Sequence, residues 1–295
     1  MANRLMRRWV VGLLLASVAP RLAGAADLPA ASPPANAAAA YAPAAPDWIV
    51  TIGAEARAIP AWYGAPTDKF SFTGAPLFSI RNKGAPPDFF GPLDSFGFPV
   101  INLGQVKIGP AFRINWERKA GDYTQLYGLG NVDFAVQAGA FIDYWPIPWL
   151  RLRGEVRQGI GGETGVSSDL YLDAVVPVGQ WRFSAGPRLT LQTTAAISPY
   201  FSVTPAQSAA TFALVPVTGL AGLPTYHAGG GLYDYGVGAQ VEYFFNDQWA
   251  AHAFTEYQRL TNSAADSPLV TERGSPNQLT FGIGATYAFS MHPLW

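Results

Sequence analysis

The sequence of 295 residues contains no cysteine and has few charged residues. The absence of cysteine excludes disulfides and thiolate metal sites. Charged residues make up 13% of the chain, against roughly 25% in an average globular domain, so the composition suits a surface that faces something other than water. The net charge of −1 offers no basic surface for nucleic acid, and we expect no nucleic-acid partner. His227, His252 and His292 lack His or carboxylate neighbours at metal-ligand spacing, so we expect no metal site and no cofactor.

Long hydrophobic runs are also absent. After the first 25 residues no window approaches the ~18 consecutive apolar residues of a transmembrane helix. A basic segment (4–8), a short apolar run (9–19) and a small-residue cleavage site (23–25) predict a signal peptide over residues 1–25. The alternative, an N-terminal anchor helix, is disfavoured by Pro20 and by the shortness of the run. The Ala/Pro-rich residues 26–46 predict a flexible periplasmic tail.

The remaining residues, 47–295, show apolar residues at every second position within short segments separated by turn residues. This alternation predicts strands with one apolar and one polar face. The last strand has the clearest pattern: Leu279, Phe281, Ile283, Ala285, Tyr287 and Phe289 alternate with small or polar residues. We identify eleven candidate strands, at about 47–58, 69–82, 95–103, 105–117, 132–145, 149–160, 165–177, 181–192, 233–245, 248–261 and 277–289.

Two architectures produce such alternation. A soluble sandwich buries its apolar faces between two sheets, whereas a membrane barrel turns them outward to lipid and keeps polar side chains inside. The Gly/Ser/Thr-rich polar faces and the aromatic residues near strand ends favour the barrel, because these aromatics suit a membrane interface. These aromatics are Trp48, Tyr144, Trp145, Trp149, Trp181, Tyr243, Trp249 and Tyr287. We therefore predict an all-β fold, an antiparallel transmembrane β-barrel of about 10–12 strands in the outer membrane. A chain with both ends in the periplasm needs an even number of strands, and 12 is favoured.

Connection lengths predict the orientation of this barrel. Short turns at 146–148, 177–180 and 246–248 suit the periplasmic side, and the longer connections at about 118–131, 193–232 and 262–276 suit the outer side. Eleven candidates leave one strand unexplained. Either a further strand lies in 193–232 or 83–100, or one candidate does not cross the membrane.

The polar faces carry charges of both signs, which we expect to meet in the barrel lumen. The predicted lumen network comprises Glu55, Arg57, Lys107, Arg113, Glu117, Arg151, Arg153, Glu155, Arg157, Arg182, Arg188, Glu242 and Glu256, with Asp143, Asp169 and Asp173 as further acids. Side chains fill the interior of a small barrel. The network is therefore either a salt-bridged filling that holds the shape, or a narrow polar pathway or ligand site.

Catalytic motifs are not found. There is no Gly-x-Ser-x-Gly motif, and the glycines of 159–162 lack the lysine and the following helix of a phosphate loop. His252 shares a strand face with Glu256 and is expected to form hydrogen bonds in the lumen. We therefore expect a protein that is not an enzyme.

Several segments resemble the MipA/OmpV family of outer-membrane proteins. The most specific is Tyr257-Gln258-Arg259-Leu260 followed by Asp266-Ser267-Pro268, with the final strand ending Thr286-Tyr287-Ala288-Phe289. The resemblance also covers 128–133, 153–162, 186–190 and 200–209. The segment after Phe289 departs from the usual ending in an aromatic residue, and Glu163 stands in a loop where a more basic sequence is expected.

The resemblance implies an outer-membrane barrel in contact with outer-membrane lipid. It also implies a scaffold that binds a lytic transglycosylase, MltA, and a peptidoglycan synthase, while other members of the family are linked to adhesion, osmotic response or antibiotic susceptibility. A pore or small-solute transporter and a surface adhesin remain alternatives. The family loop motif, Arg259, Asp266, Ser267 and Pro268, is either a recognition or catalytic element or a structured loop in which Asp266 accepts backbone hydrogen bonds and Pro268 fixes the turn.

Overall fold

The chain forms one antiparallel sheet that curves into a barrel. The computed structural model describes residues 48–291, so the predicted signal peptide (1–25) and tail (26–46) lie outside the described residues. The strands are β1 (Trp48–Pro60), β2 (Phe70–Asn82), β3 (Phe96–Gly97), β4 (Ile101–Asn102), β5 (Val106–Asn115), β6 (Ala135–Ile147), β7 (Leu150–Gly161), β8 (Val166–Val178), β9 (Trp181–Gln192), β10 (Gly231–Phe244), β11 (Trp249–Leu260) and β12 (Asn277–Met291). The helices are α1 (Thr194–Phe201), α2 (Pro205–Ala213), α3 (Val215–Thr218), α4 (Asn262–Ala265) and α5 (Pro268–Arg273).

The sheet follows chain order from β5 to β12, and β12 then pairs with β1. The first and last strands, β1 and β12, run in register over eleven pairs, from Trp48↔Met291 to Ala58↔Phe281, and β2 pairs with the other edge of β1. The predicted antiparallel barrel of 10–12 strands is confirmed. We call the end of the barrel where β1 begins and β12 ends the base, and the opposite end the top.

The candidate strand 95–103 explains why the sequence count did not close. It forms only the two-residue strands β3 and β4, both on the edge of β5. The ladder breaks between them, at Pro99, which has no amide hydrogen to donate. Pro110 of the facing strand β5 likewise has no amide hydrogen to donate. Ten strands of 10–15 residues therefore form the wall, and 95–103 is a broken edge segment.

A seam runs between β2 and this broken segment. Among the described residues β2 pairs only with β1, and its other edge meets β3 through side chains. The rings of Phe78 and Phe98 pack edge to face with centroids 6.0 Å apart. Pro76 lies within β2, as expected for an edge strand, where a missing backbone donor is tolerated.

The two faces of the wall have the polarity of a membrane barrel. Large apolar side chains point outward on every long strand; Ile283, for example, is 66% exposed, whereas Thr280 on the opposite face of the same strand is 4% exposed. The strands belong to one sheet, so no second sheet covers these apolar side chains as it would in a sandwich. No helix in the part of the chain that the structure describes is long and apolar enough to cross a membrane.

Aromatic side chains form a girdle around the base. Trp181 packs on Tyr243 with centroids 4.6 Å apart, and Trp249 packs on Tyr287 at 4.8 Å. Each pair joins neighbouring strands where these strands begin or end. The pattern is typical of a membrane–water interface, where an aromatic ring meets both hydrocarbon and polar groups.

The long connections at the top fold together into a lid. The lid consists of residues 61–69, 116–134, 193–230 and 261–276, and it includes all five helices. Two apolar clusters join its parts; their members include Trp62, Leu126, Leu129, Ile197, Phe201, Val203, Leu223, Leu269 and Val270. Burial of these side chains holds the lid as a packed cap.

Two arginines join different parts of the lid by donating to backbone oxygens. Arg273 donates to the backbone oxygens of Ala221 (2.6 Å) and Gln125 (3.1 Å), and Arg118 donates to that of Tyr200 (2.8 Å). Burial lowers the pKa of Arg118 to about 10, so this side chain stays charged at neutral pH. The predicted long connections therefore form one structured layer over the top.

Glycines allow the strands to curve closely around the lumen. A Cβ at Gly186 would overlap the carbonyl oxygen of Leu172 on β8, whereas a Cβ at Gly154 would meet only side-chain carbons, at 3.5 Å or more. We expect Gly186→Ala to lower the free energy of unfolding by about 1–3 kcal/mol, because a rigid ladder cannot yield. Gly154→Ala should change it by less than about 1 kcal/mol. Chemical unfolding in detergent micelles tests this pair; equal effects of the two substitutions would contradict the close approach.

Candidate functional site: the charged lumen

The lumen is lined by charged side chains that the strand alternation directs inward. On β7 the residues Arg151, Arg153, Glu155 and Arg157 share the inner face because they are two positions apart. Their neighbours across the ladders complete the lining. Buried charged and polar side chains of the wall include Glu55, Gln137, Asp143, Asp169, Asp173, Arg182, Arg188, Asp234, Gln240, Glu242, His252 and Glu256.

Arg151 is the centre of the network near the base. Its guanidinium, 1% exposed, contacts Asp94 at 2.7 Å, Asp143 at 2.8 Å and Asp173 at 3.3 Å. Arg153 continues the network by contacting the other oxygen of Asp143 at 3.0 Å. One buried cation therefore holds three carboxylates, each of which would be costly to bury unpaired.

A second group lies higher on the same face of β7. Glu155 accepts from Arg153 at 2.6 Å and pairs with Arg157. Arg157 also contacts Asp169 on β8 at 2.5 Å, and Arg113 on β5 contacts the same carboxylate at 3.2 Å. Ion pairs therefore tie β5, β7 and β8 together across the lumen.

Further ion pairs join the strands β8 to β11. Arg188 on β9 contacts Asp173 at 2.6 Å and Glu256 on β11 at 3.4 Å. Arg182 pairs with Glu242 on β10 at 2.5 Å. The contact between Arg188 and Glu256 links β9 to β11, which are not neighbours in the sheet, and the other two contacts reinforce neighbouring strands.

Glu55 lies on β1, beside the ladder that joins β1 to β12. It contacts Arg57 at 2.5 Å and the Nε2 atom of His252 at 2.9 Å. His252 therefore forms the predicted lumen hydrogen bond. A Cβ at Gly284 would lie 2.5 Å from the ring of His252, and one at Gly238 would lie 2.7 Å from the guanidinium of Arg188. Small residues of β10 and β12 thus provide the space that large polar side chains fill.

A connection at the base enters the lumen. Residues 83–95, which we call the plug, join β2 to β3. Asp88 contacts Lys107 at 2.6 Å, and the backbone oxygen of Asp88 accepts from Arg182 at 2.8 Å. The ring of Phe89 lies between two guanidinium groups, with its centroid 5.2 Å from Cζ of Arg151 and 5.4 Å from Cζ of Arg182.

The upper lumen ends against the lid in a hydrogen-bonded layer. Glu163, 2% exposed, accepts from Asn115 at 3.0 Å and from Gln137. Tyr63 of the lid donates to Asn115 at 3.2 Å. Burial, followed by the charge of Glu163, raises the pKa of Tyr63 to about 12, so its hydroxyl keeps the proton that it donates. The plug, the ion pairs and this layer follow one another along the lumen.

The structure brings together every predicted lumen residue except Glu117. The strand β5 ends at Asn115, so the alternation that placed Glu117 inside no longer applies two residues later. Glu117 is exposed in the lid and contacts Lys119 at 2.7 Å. Its assignment to the lumen was wrong.

The family loop motif is structural in most of its members. Ser267 is fully buried, donates to the backbone oxygen of Phe201 at 2.7 Å and accepts from the amide of Leu269. Pro268 is the first residue of α5. Asp266 is exposed, so the capping expected of it is provided by Ser267 instead. Arg259 lies at the end of β11 and donates to Asn277 at 2.7 Å.

Sequence reasoning missed the acidic residues of the plug and of the upper layer. Asp88 and Asp94 lie in a Gly/Pro-rich segment without alternation, which gave no signal that they enter the lumen. Glu163 lies in a short connection between β7 and β8. Glu163 follows Arg157 by an even number of residues, so continued alternation would place it on the inner face of β7. This spacing was the one available signal.

The arrangement pairs charges of opposite sign. Among residues 48–291 no group of three or more His, Asp or Glu side chains is placed to hold a metal ion. Each arginine of the lumen network pairs with a carboxylate of the wall. Such a network fixes the positions of strands and of the plug.

Solved structures similar to this chain are bacterial outer-membrane proteins. The COG4313 outer membrane channel from Pseudomonas putida F1 is 8% identical with a TM-score of 0.38, covering 83% of this chain and 96% of that one. The NanC porin is 7% identical with a TM-score of 0.35, covering 81% and 98%. The N-terminal β-barrel domain of OprF from Pseudomonas aeruginosa is 14% identical with a TM-score of 0.26, covering 62% and 96%. TM-scores this low carry no inference about ligand or role.

Sequence families give a more specific result. No curated protein matches this chain. A family model does match, over residues 52–289, which run from within β1 to within β12 and include the lumen network. The predicted resemblance is confirmed, and the chain belongs to the family described as MltA-interacting protein MipA.

Proposed function

We propose that this outer-membrane barrel is a non-enzymatic scaffold that binds peptidoglycan-remodelling enzymes at its base. The observation that carries the proposal is the filled lumen: a plug at the base, buried ion pairs in the middle and a packed lid at the top. A barrel filled in this way has no open pathway through it, so a folded enzyme can contact only its surfaces. The family description as an MltA-interacting protein supports a lytic transglycosylase as one partner, and the family resemblance adds a peptidoglycan synthase.

The base is the surface that we expect such enzymes to contact. With the long connections outside, the base faces the periplasm, where peptidoglycan lies. Its turns present exposed apolar and polar groups, among them Val178, Gln180, Phe245 and Asp247. Apolar side chains beside polar ones are typical of protein interfaces.

Binding to the purified mature barrel in lipid nanodiscs tests this proposal. We expect saturable binding of a purified lytic transglycosylase of the MltA type. The double substitution Phe245→Ala and Asp247→Arg, which truncates one side chain of a base turn and reverses the charge of another, should weaken this binding at least tenfold. The control replaces Phe212 by alanine in the lid, at the other end, and should leave binding unchanged. Loss of binding from the lid variant alone, or no binding at all, would refute a scaffold that acts through its base.

A transport function predicts a different result from the same protein. Because ion pairs and the plug occupy the lumen, we expect no open-channel current from the purified barrel in a planar bilayer. A steady single-channel conductance would show that a pathway persists among these side chains, and the pore alternative would replace the scaffold. The measurement requires only the unmodified protein.

One observation favours a second candidate, adhesion through the lid. Residues 189–233 contain no Asp, Glu, Lys or Arg, and within them Phe212 and Val217 are exposed, the latter to 82%. Exposed apolar groups on an uncharged surface mark contact sites. Cells that produce a variant in which a Gly/Ser linker replaces residues 205–221 should attach less to host or abiotic surfaces. The base variant Phe245→Ala with Asp247→Arg is the control, and equal attachment in all strains would exclude this role.

A further inference from the structure

The plug is held in the lumen as a ligand is held in a binding site. Its residues form no strand ladder with the wall; they are fixed by wall side chains. Asp94 contacts Arg151 at 2.7 Å, and Asp88 contacts Lys107 at 2.6 Å. Arg113 donates to the backbone oxygen of Leu93 at 2.9 Å. Carboxylates, carbonyl oxygens and an aromatic ring are thus all bound by cations, as in recognition of an acidic peptide.

The three arginines of the binding seat do not depend on the plug for their charge balance. Arg151 keeps Asp143 and Asp173 as wall partners, and Arg182 keeps Glu242. Arg113 likewise keeps Asp169. If the plug leaves, these arginines remain paired and positioned, because wall carboxylates hold them from the other side. The seat is therefore preorganised, which favours binding of a replacement.

The plug itself fits the seat imperfectly. Leu93 has a φ of 57°, a left-handed conformation that is unfavourable for a residue with a Cβ. Among the described residues the Oδ2 atom of Asp88 and the Oγ atom of Ser95 are buried without a hydrogen-bond partner. Strain and unpaired polar atoms lower the cost of exchanging this segment for a better-fitting one.

We propose that the lumen seat formed by Lys107, Arg113, Arg151 and Arg182 is a binding site for an acidic peptide segment, which enters from the base and displaces the plug. The ligand chemistry follows from what the plug supplies: two carboxylates and, between them, an aromatic ring. The site goes beyond the scaffold proposal, and it holds whether or not the barrel binds a peptidoglycan enzyme.

Exchange is measured on the full chain with single cysteines, since the sequence has none of its own. Ser95→Cys reports on the plug, and Ser79→Cys on β2 is the matched control; both side chains are buried and both Oγ atoms lack a partner among the described residues. The probe is a synthetic peptide of residues 84–95. We expect it to raise the rate at which a membrane-impermeant maleimide labels Ser95→Cys at least tenfold and to leave Ser79→Cys unchanged.

The chemistry of the seat is tested with a second peptide and a second barrel. A barrel whose residues 84–95 are replaced by a Gly/Ser linker should bind the peptide, and a peptide carrying Asp88→Asn and Asp94→Asn should bind at least about tenfold more weakly, since it loses charge-assisted hydrogen bonds. If this barrel does not fold, the same two substitutions in the full chain with Ser95→Cys should speed labelling without any peptide.

Two results would overturn the proposal. One is equal binding of the acidic and the amide peptides, which would show that the seat does not select carboxylates. The other is unchanged labelling of Ser95→Cys at peptide concentrations that saturate the linker barrel, which would show that the plug is permanent. Neither result bears on enzyme binding at the base turns, so the scaffold proposal is decided separately.

Discussion

Replacing Arg151 by leucine is expected to lower the free energy of unfolding by about 3–5 kcal/mol, the usual loss when one partner of a buried ion pair is removed. Arg151 contacts Asp94, Asp143 and Asp173, and its removal leaves these carboxylates close together without their shared cation. Urea unfolding in detergent micelles, followed by the difference in gel migration between folded and unfolded barrel, measures the change.

The matched control for Arg151→Leu is Arg259→Leu. Arg259 is exposed at the end of β11 and donates to Asn277, so the same chemical change should alter the free energy of unfolding by no more than about 0.5 kcal/mol. If both variants unfold at the same urea concentration, the buried network contributes no more than a surface hydrogen bond. The lumen would then have to be more flexible and more hydrated than its contacts indicate.

The sequence was sufficient to predict which side chains meet in the lumen wall. Alternation depends only on strand geometry, and it placed Arg151, Arg153, Glu155 and Arg157 on one inner face without knowledge of any partner. The apolar residues between them could be assigned to lipid for the same reason. Glu117 shows the limit of this reasoning, since alternation cannot tell where a strand ends.

The plug could not be predicted because its position is set by long-range contacts. Pro86, Pro87 and Pro92 remove backbone donors and periodicity from this segment, so no local pattern distinguishes it from an exposed turn. Its place follows from Arg151 and Arg182, which are far away in sequence. The family loop shows a similar limit: the sequence indicated a structured turn there, but only the packing shows that Ser267, not Asp266, caps α5.

The membrane assignment itself predicts a large and position-dependent effect of charge on the outer face. Ile283 lies near the middle of β12 and is 66% exposed, so in a bilayer its side chain contacts hydrocarbon. For the barrel folded in lipid vesicles, Ile283→Arg should lower the free energy of unfolding by about 2–4 kcal/mol, the cost of an arginine on the lipid face of a barrel at the bilayer midplane.

Val217→Arg is the control that separates lipid from water. Val217 is 82% exposed, more than Ile283, but it lies in the lid, outside the membrane-spanning strands. Its replacement by arginine should change stability by no more than about 0.5 kcal/mol, because the charge stays hydrated. Equal and small effects at both positions would mean that the outer face of β12 contacts water. The polar lumen would then be the core of a soluble protein, and neither periplasmic docking at the base nor peptide exchange with the plug would have the membrane geometry on which it depends.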